Sequence, residues 1–202
     1  ALLQAMQEHE VTVAGETYPL AAPFFVLATQ NPIEHEGTYP LPEAQLDRFM
    51  FELHVEYPSR AEEESIVERT TGDLLPKLEA VLSGEDLVAL QRLVRRVPAP
   101  KIVVEHAVGL ARMTRPADPS ATAAVREFVQ WGAGPRASQY LVLGAKARAA
   151  MDGRGMADLE DVDAIALAVL RHRLVLNFNA EAAGKRAEEL VAEAMAEARR
   201  RC

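Results

Sequence analysis

The spacing of apolar residues along the chain changes character near Ser59. Before that residue the apolar stretches are short and β-prone. Residues 10–20 form two such arms around an Ala-Gly pair, which predicts a β-hairpin because glycine accepts positive φ in a tight turn. Residues 23–32 are a continuous apolar run that ends in a polar cluster, as is typical of buried parallel strands, and residues 49–55 alternate well enough for a second strand.

Short helices accompany these predicted strands. Residues 1–8 follow an amphipathic helical pattern, and Pro42 suits the first turn of another short helix over 42–49. A loop that contains Gly37 joins this helix to the preceding apolar run. A strand, a loop with a short helix and a further strand together predict an α/β sheet domain, which we place at residues 1–58.

After Ser59 the apolar residues recur at helical spacing. Ser59 is a suitable N-cap with acidic residues in the turn that follows it, and Asp158 is suited to cap a later helix. The predicted helical segments are 59–69, 83–97, 101–115, 134–153, 157–174 and 184–200. Residues 59–202 are therefore predicted to form an all-α domain, with Trp131 and Tyr140 as anchors in its core.

Composition and charge argue against a nucleic-acid-binding protein and against a membrane span. The 202 residues carry 22 Lys and Arg against 30 Asp and Glu, a formal net charge of -8, whereas nucleic-acid-binding surfaces are usually basic. We interpret the basic clusters at 91–96, at 171–173 and at the C-terminus as solvated helix faces and ends. No apolar run reaches the length of about 18 residues that a membrane span requires.

Cysteine and histidine usage indicates neither disulfides nor a metal centre. Cys202 is the only cysteine, which excludes an internal disulfide and fits a reducing compartment, so we expect a cytoplasmic protein. The five histidines show no ligand spacing of the HExxH kind, and no metal site is predicted.

Asn31 lies at the carboxyl end of the first predicted strand, where ligands bind in open α/β sheets. Its side-chain amide can donate to a phosphate oxygen and accept from a water molecule, which suits it to orient a nucleophile. The structural alternative is an Asx turn before Pro32. The residue by itself leaves both interpretations open.

Arg48 places a permanent charge at the start of the second predicted strand. Asp47 is a poor local partner because adjacent residues on a helix do not face each other, which leaves Glu43 and Glu52 as structural candidates. Alternatively, the planar and always ionised guanidinium is suited to stabilise a phosphoryl group held by a neighbouring molecule. Arginine fingers of that kind contribute about 10³–10⁵ in rate.

Arg136 falls in the first turn of the helix predicted over 134–153. Helix N-termini favour anions, so a cation is misplaced there unless an anion comes between. That mismatch favours a phosphate contact, and exposure to solvent is the alternative. The preceding Gly132-Ala-Gly134 is by itself a weak phosphate motif.

The segments ATQNP, LDRF and GPRAS occur in this order, and together they resemble the AAA+ ATPases. The longer stretch LATQNPIEHEGTYPLPEAQLDRF resembles their MoxR branch, and the likeness continues more loosely through VLRHRL. It implies the C-terminal part of an AAA+ αβα nucleotide-binding core followed by a helical lid. By position, it implies that Asn31 is the sensor-1 residue, Arg48 the arginine finger for the next subunit, and Arg136 the sensor-2 arginine. The hairpin at 10–20 is similar to the one that this branch places before sensor 1.

Two motifs of the resembled family do not occur in these 202 residues. They are the GxxxxGK[ST] loop that cradles phosphates and the acidic Walker-B pair that holds Mg²⁺. In the family a helix like ALLQAM follows shortly after the Walker-B acids, so we expect the chain to begin just downstream of them. We expect no ATPase activity and little affinity for ATP from this chain alone.

The resemblance implies that the intact protein binds ATP and Mg²⁺, forms a ring of self-associated subunits that we expect to be a hexamer, and remodels or matures partner proteins. Proteins with von Willebrand A domains are the expected clients. One alternative is a truncated module that binds partners without hydrolysis, and the coding sequence upstream of Ala1 distinguishes the two. Another is a helical nucleic-acid-binding module, against which the acidic balance argues.

Overall fold

The structure, a computed structural model, describes residues 2–30, 41–73 and 78–201. Within these ranges the chain forms ten α-helices and two pairs of short antiparallel strands. The helices are α1 (Leu2–Glu8), α2 (Glu43–Leu46), α3 (Arg60–Thr70), α4 (Gly84–Arg96), α5 (Lys101–Met113), α6 (Ala123–Phe128), α7 (Pro135–Met151), α8 (Leu159–Leu170), α9 (Phe178–Ala182) and α10 (Ala187–Arg201). The strands are β1 (Glu10–Val13), β2 (Glu16–Pro19), β3 (Val129–Trp131) and β4 (Val175–Leu176), and a 3-10 turn over Arg171–Arg173 follows α8.

Helix α1 and the β1–β2 hairpin form as predicted. The turn residues Ala14 and Gly15 have φ of 52° and 88°, which is the pair of positive values that a type I′ hairpin turn requires. The side-chain oxygen of Gln4 accepts a hydrogen bond from the N–H of Thr12 at 3.2 Å. This contact joins α1 to the hairpin.

The two strands predicted for the α/β region do not form. Residues 24–30 and 51–59 have no regular secondary structure, and Phe25 and Val55 are 77% and 94% exposed. A parallel strand is held by hydrogen bonds to strands beside it, and none of the four strands in the described ranges pairs with either segment. The apolar pattern was insufficient because a strand also depends on a partner.

Capping boxes begin three of the helices. Ser59, Ser83 and Asp158 each accept a hydrogen bond from the backbone N–H three residues later, and the acidic side chain at that later position bonds back to the cap. The caps predicted at Ser59 and Asp158 are therefore confirmed. The helical spacing after Ser59 is confirmed with them, since a helix occupies each predicted segment.

The core lies among helices α5 to α10. Helix α7 packs against α5 and α8, and α10 packs against the same two helices. Each of these four helices contributes one large buried leucine: Leu110, Leu141, Leu170 and Leu190. Among the described side chains before residue 100, Ala5 alone is buried. Taking only the described ranges, no helix combines the length and the apolar character needed to cross a membrane.

Several features of the helical region were not predicted, among them the short helices α6 and α9. Strand β3 pairs antiparallel with β4, and strands of two or three residues are too short for a period-two pattern to be recognised. Trp131, at the end of β3, is 65% exposed, so its prediction as a core anchor is wrong. Tyr140 does pack, partly buried, against the core.

Candidate functional site

Arg48 and Arg136, which are distant in sequence, line the same pocket. Tyr140 from α7 and Met6 and Gln7 from α1 complete its wall, and the pocket encloses about 280 Å³. Two of the three predicted site residues are therefore brought together. Asn31, the third, lies outside the described residues, so its role stays a prediction.

The loop before α7 fixes the position of Arg136. A Cβ at Gly132 would lie 2.1 Å from the carbonyl oxygen of Thr114, so only glycine allows the loop to pass this close to the end of α5. The Oγ1 of Thr114 accepts a hydrogen bond from the N–H of Ala133 at 2.9 Å. Gly132 thus serves packing, and the anchored loop starts α7 at Pro135.

A carboxylate meets Arg136 at the start of α7. Nη1 of Arg136 donates to Oδ2 of Asp47 at 2.8 Å. The anion needed beside a cation at a helix N-terminus is therefore present, in the form of a carboxylate from another part of the chain. Arg136 does not simply extend into solvent, yet its side chain stays 35% exposed and lines the pocket.

The guanidinium of Arg48 is partly buried without a matching acceptor. Its Nε and Nη1 are shielded from water, and within the described ranges no group accepts a hydrogen bond from them. Asp47 bonds to other arginines, and Glu52 faces His54 and His172 instead. Because desolvated donors without an acceptor are unfavourable, this arrangement favours an anion that comes from outside the described chain.

Arg173, the last residue of the 3-10 turn, was not predicted as a site residue. Its side chain is 1% exposed. Nε donates to Oδ1 of Asp47 at 2.9 Å, and Nη2 donates to the carbonyl oxygens of Asp47 and Phe49 at 2.8 and 2.6 Å. Burial lowers the pKa of Arg173, and the hydrogen bond to Asp47 opposes that shift. The guanidinium therefore remains charged, with its charge balanced by Asp47.

The sequence did contain a signal for Arg173. We assigned the basic cluster 171–173 to a solvated helix end, and for this residue the assignment is wrong. Arg173 follows Val169 by four residues and Ala166 by seven, and both are fully buried, so helical periodicity puts it on the buried face. A charged residue on an apolar stripe requires a partner.

Tyr140 and His172 also hold residues 47–50, which we call the Arg48 segment. The hydroxyl of Tyr140 donates to the carbonyl oxygen of Arg48 at 3.0 Å. Nε2 of His172 lies 3.2 Å from the carbonyl oxygen of Phe49, and it carries the hydrogen because a carbonyl only accepts. Burial, and then the charge of Arg173, lower the pKa of His172, so this ring is neutral at pH 7.

Comparisons with known proteins agree over most of the chain. The model of the ATPase family associated with various cellular activities (AAA) matches residues 1–51, and that of the AAA lid domain matches residues 121–194. Chaperone MoxR1 of Mycobacterium tuberculosis is 43% identical over 180 residues, which are 89% of this chain and 48% of the relative. Uncharacterized protein YeaC of Bacillus subtilis is 43% identical over 196 residues, or 96% and 58%. A putative ATPase from Cytophaga hutchinsonii, known from a crystal structure, matches with a TM-score of 0.90 and 35% identity over 97% of this chain and 60% of that one.

These matches define the class of protein. The chain belongs to the AAA+ ATPases and includes their lid domain. Within that class it belongs to the MoxR family. The predicted fold class is confirmed at this level, although residues 24–30 and 51–59 form no strands. The chain spans between 48% and 60% of the length of the relatives it matches.

Proposed function

We propose that this chain is the phosphate-sensing portion of a MoxR-type AAA+ ATPase. In the intact protein, ATP binding and hydrolysis in an oligomeric ring drive the remodelling or maturation of partner proteins. The observation that carries the proposal is the guanidinium of Arg48, which lacks an acceptor in the described ranges and shares a pocket with Arg136. The relative named Chaperone MoxR1 supports an action on protein clients.

Arg48 is the arginine finger, and it acts on ATP held by the neighbouring subunit. Its Nε and Nη1 have no acceptor within the described ranges, and Arg48 lines the pocket, so a phosphate oxygen supplied there by the neighbour pairs with a guanidinium that no described carboxylate holds. A cation held in place before the reaction stabilises developing negative charge without reorganisation. This is the chemistry by which arginine fingers accelerate phosphoryl transfer.

Arg136 is the sensor-2 arginine and contacts the nucleotide phosphates. One of its N–H groups is engaged by Asp47 at 2.8 Å, and its remaining donors are available at the pocket that it lines. Because Arg136 and Arg48 share that pocket, we assign both to one phosphate site, that of the neighbouring subunit. Asn31 is the sensor-1 residue, whose amide orients the attacking water.

ATP and Mg²⁺ are used by the intact protein, as the family implies. ATP supplies the phosphoryl group and Mg²⁺ neutralises charge on its oxygens. The two arginines give the pocket the charged donors that phosphate oxygens require. The residues of this chain contribute by binding and orienting the phosphoryl group of the nucleotide that the neighbouring subunit holds.

The two domains meet at Ser59. Residues 1–58 are the C-terminal part of the nucleotide-binding core, and residues 59–202 are the lid. The ring is a cytoplasmic hexamer whose clients include proteins with von Willebrand A domains.

The coding sequence upstream of Ala1 distinguishes the two candidate functions. A P-loop and an acidic pair encoded there in frame support hydrolysis by the intact protein. A start codon near Ala1 contradicts hydrolysis and favours the module that binds partners without it.

Replacement of Arg48 by alanine in the intact protein tests the proposal. We expect kcat for ATP hydrolysis to fall about 10³-fold or more, with little change in the Kd for ATP, because the finger acts on the neighbour's phosphate. Steady-state ATPase assays and fluorescent-nucleotide titrations measure the two quantities. Arg60→Ala is the matched control, since Arg60 is 93% exposed and pairs only with Glu64 within the described ranges. Turnover of R48A at the level of the unmodified protein contradicts the assignment.

A further inference from the structure

The backbone on both sides of Arg48 is held by side chains from the lid. We propose that Arg173 is the positioning residue for Arg48, and that the finger is thereby fastened to the lid. The inference rests on the proposed function, since it concerns how the finger is aimed. Arg173 does not touch the phosphate; it acts through the Arg48 segment.

The donors of Arg173 reach the residues directly before and after Arg48. Nη2 bonds to the carbonyl oxygens of Asp47 and Phe49 at 2.8 and 2.6 Å, and Nε bonds to the Asp47 carboxylate at 2.9 Å. Nη1 bonds in turn to the carbonyl oxygen of Val169 in α8. One planar group therefore ties the end of α8 to both flanks of the finger.

The surroundings of Arg173 make this contact rigid. Its side chain is 1% exposed, and its guanidinium carbon lies 5.2 Å from the centre of the Tyr140 ring. Tyr140 itself donates to the carbonyl oxygen of Arg48 at 3.0 Å. Movement of the segment away from Arg173 and Tyr140 breaks these partly buried hydrogen bonds, which opposes independent movement of the segment.

The consequence concerns communication between subunits. Residues of α7 and of the turn after α8, both in the lid, determine where the finger points. A rotation of the lid carries Arg48 with it, so the nucleotide state of one subunit alters the phosphate contact made in the next. Such coupling needs a physical link between the two sites, and Arg173 and Tyr140 supply one.

The first readout requires no nucleotide. The amides of Arg48 and Phe49 are hydrogen-bonded to the carbonyl oxygens of Gln45 and Leu46 at 3.1 and 3.0 Å. In the full-length protein, Arg173→Met should raise hydrogen-exchange rates at these two amides by about tenfold or more. Unchanged exchange there overturns the proposal.

The control for that readout is Arg154→Met. Arg154 is also a lid arginine with a nearly buried partner, since it bonds to Asp161, whose side chain is 2% exposed. Within the described ranges, the hydrogen-bond partners of its side chain are all acidic residues between positions 152 and 161. R154M should disturb the lid and leave the exchange of the Arg48 segment unchanged. Equal effects of R154M and R173M on that segment overturn the proposal.

The second readout is turnover. R173M should lower kcat about 100-fold, which is the loss expected for a displacement of about 1 Å at a reacting group, and should change KM for ATP little. Tyr140→Phe removes one hydrogen bond and keeps the ring, so it should lower kcat about 2- to 10-fold. The Y140F variant allows the same comparison of kcat with KM if R173M does not fold.

A double variant separates positioning from general stability. If Arg173 acts through Arg48, then R48A/R173M and R48A/Y140F should have the same kcat as R48A alone. Losses that multiply in the double variants overturn the proposal and leave the finger assignment intact. R48A with unreduced turnover overturns the finger assignment itself, so the two failures are distinguishable.

Discussion

Asp47 and Arg48 are neighbours in sequence, yet Asp47 pairs with two arginines, whereas Nε and Nη1 of Arg48 have no acceptor in the described ranges. The adjacency predicted that the two would not pair, and within the described ranges they do not. The partners of Asp47 lie 89 and 126 positions away, at Arg136 and Arg173. No local pattern around Asp47 could predict them, because contacts across such separations depend on how the helices pack.

Asp47→Asn tests this pairing at the scale of one residue. The change leaves the buried charge of Arg173 uncompensated, so we expect a loss of about 2 kcal/mol in the free energy of unfolding, less than for a fully buried pair because the Asp47 side chain is 30% exposed. Urea unfolding measures it. The control is Asp152→Asn, where the carboxylate is 55% exposed beside Arg154 and the expected loss is below about 1 kcal/mol. Equal losses for the two variants contradict the account.

At the scale of elements, the helices of eleven residues or more and the β1–β2 hairpin were predictable, whereas the short helices α6 and α9 and the other strands were not. Helices are specified by their own spacing and caps, as Ser59 and Asp158 show. Strand formation at 24–30 and 51–59 depends on partners that the described chain lacks, and β3 and β4 are too short to show a period. The close approach of the backbone at Gly132 to α5 could not be predicted from sequence either, because the group that it approaches is the carbonyl of Thr114, 18 positions earlier.

Gly132→Ala tests the loop that starts α7. The new Cβ would lie 2.1 Å from the carbonyl oxygen of Thr114, so the loop must shift, and we expect a loss of about 1–3 kcal/mol in the free energy of unfolding. Gly134→Ala is the matched control, since nothing lies within 4 Å of its added Cβ and its φ is -78°. That variant should lose less than about 1 kcal/mol. A Gly132→Ala protein as stable as Gly134→Ala contradicts the predicted clash.

The turn after α8 should give stability a pH dependence. Burial lowers the pKa of His172 below its ordinary 6.5 in the folded protein, so the unfolded chain binds a proton at a higher pH than the folded one does. The contribution of neutral His172 to the free energy of unfolding is fully present above the pKa that this residue has in the unfolded chain. It is lost as the pH falls through 6.5 towards the lower pKa that His172 has in the folded protein. Urea unfolding between about pH 7 and pH 5 should show a smaller decrease for His172→Gln than for the unmodified protein. Parallel decreases contradict this role of His172.

At the scale of the whole molecule, the large buried side chains lie in one part of the chain, and the described residues before Ser59 are mostly exposed. The large buried side chains belong to α5–α10, whereas Phe25, Leu27, Leu53 and Val55 are all more than 70% exposed. Sequence alone predicted the α/β character of 1–58. Hydrogen bonds from Tyr140, His172 and Arg173 to residues 47–50 are among the contacts that join the two parts, together with the Arg136–Asp47 pair.

Mixed rings test the central claim that Arg48 acts on a neighbouring subunit. R48A subunits, which keep their P-loop, are combined over a range of ratios with subunits whose P-loop lysine is replaced but whose Arg48 is intact. Each preparation alone should be nearly inactive. At equal ratio, about one quarter of the interfaces in a randomly mixed ring pair an intact P-loop with an intact finger, so ATPase activity should rise towards that fraction of the unmodified level. Activity that never exceeds the sum of the two separate preparations, at any ratio, contradicts the claim.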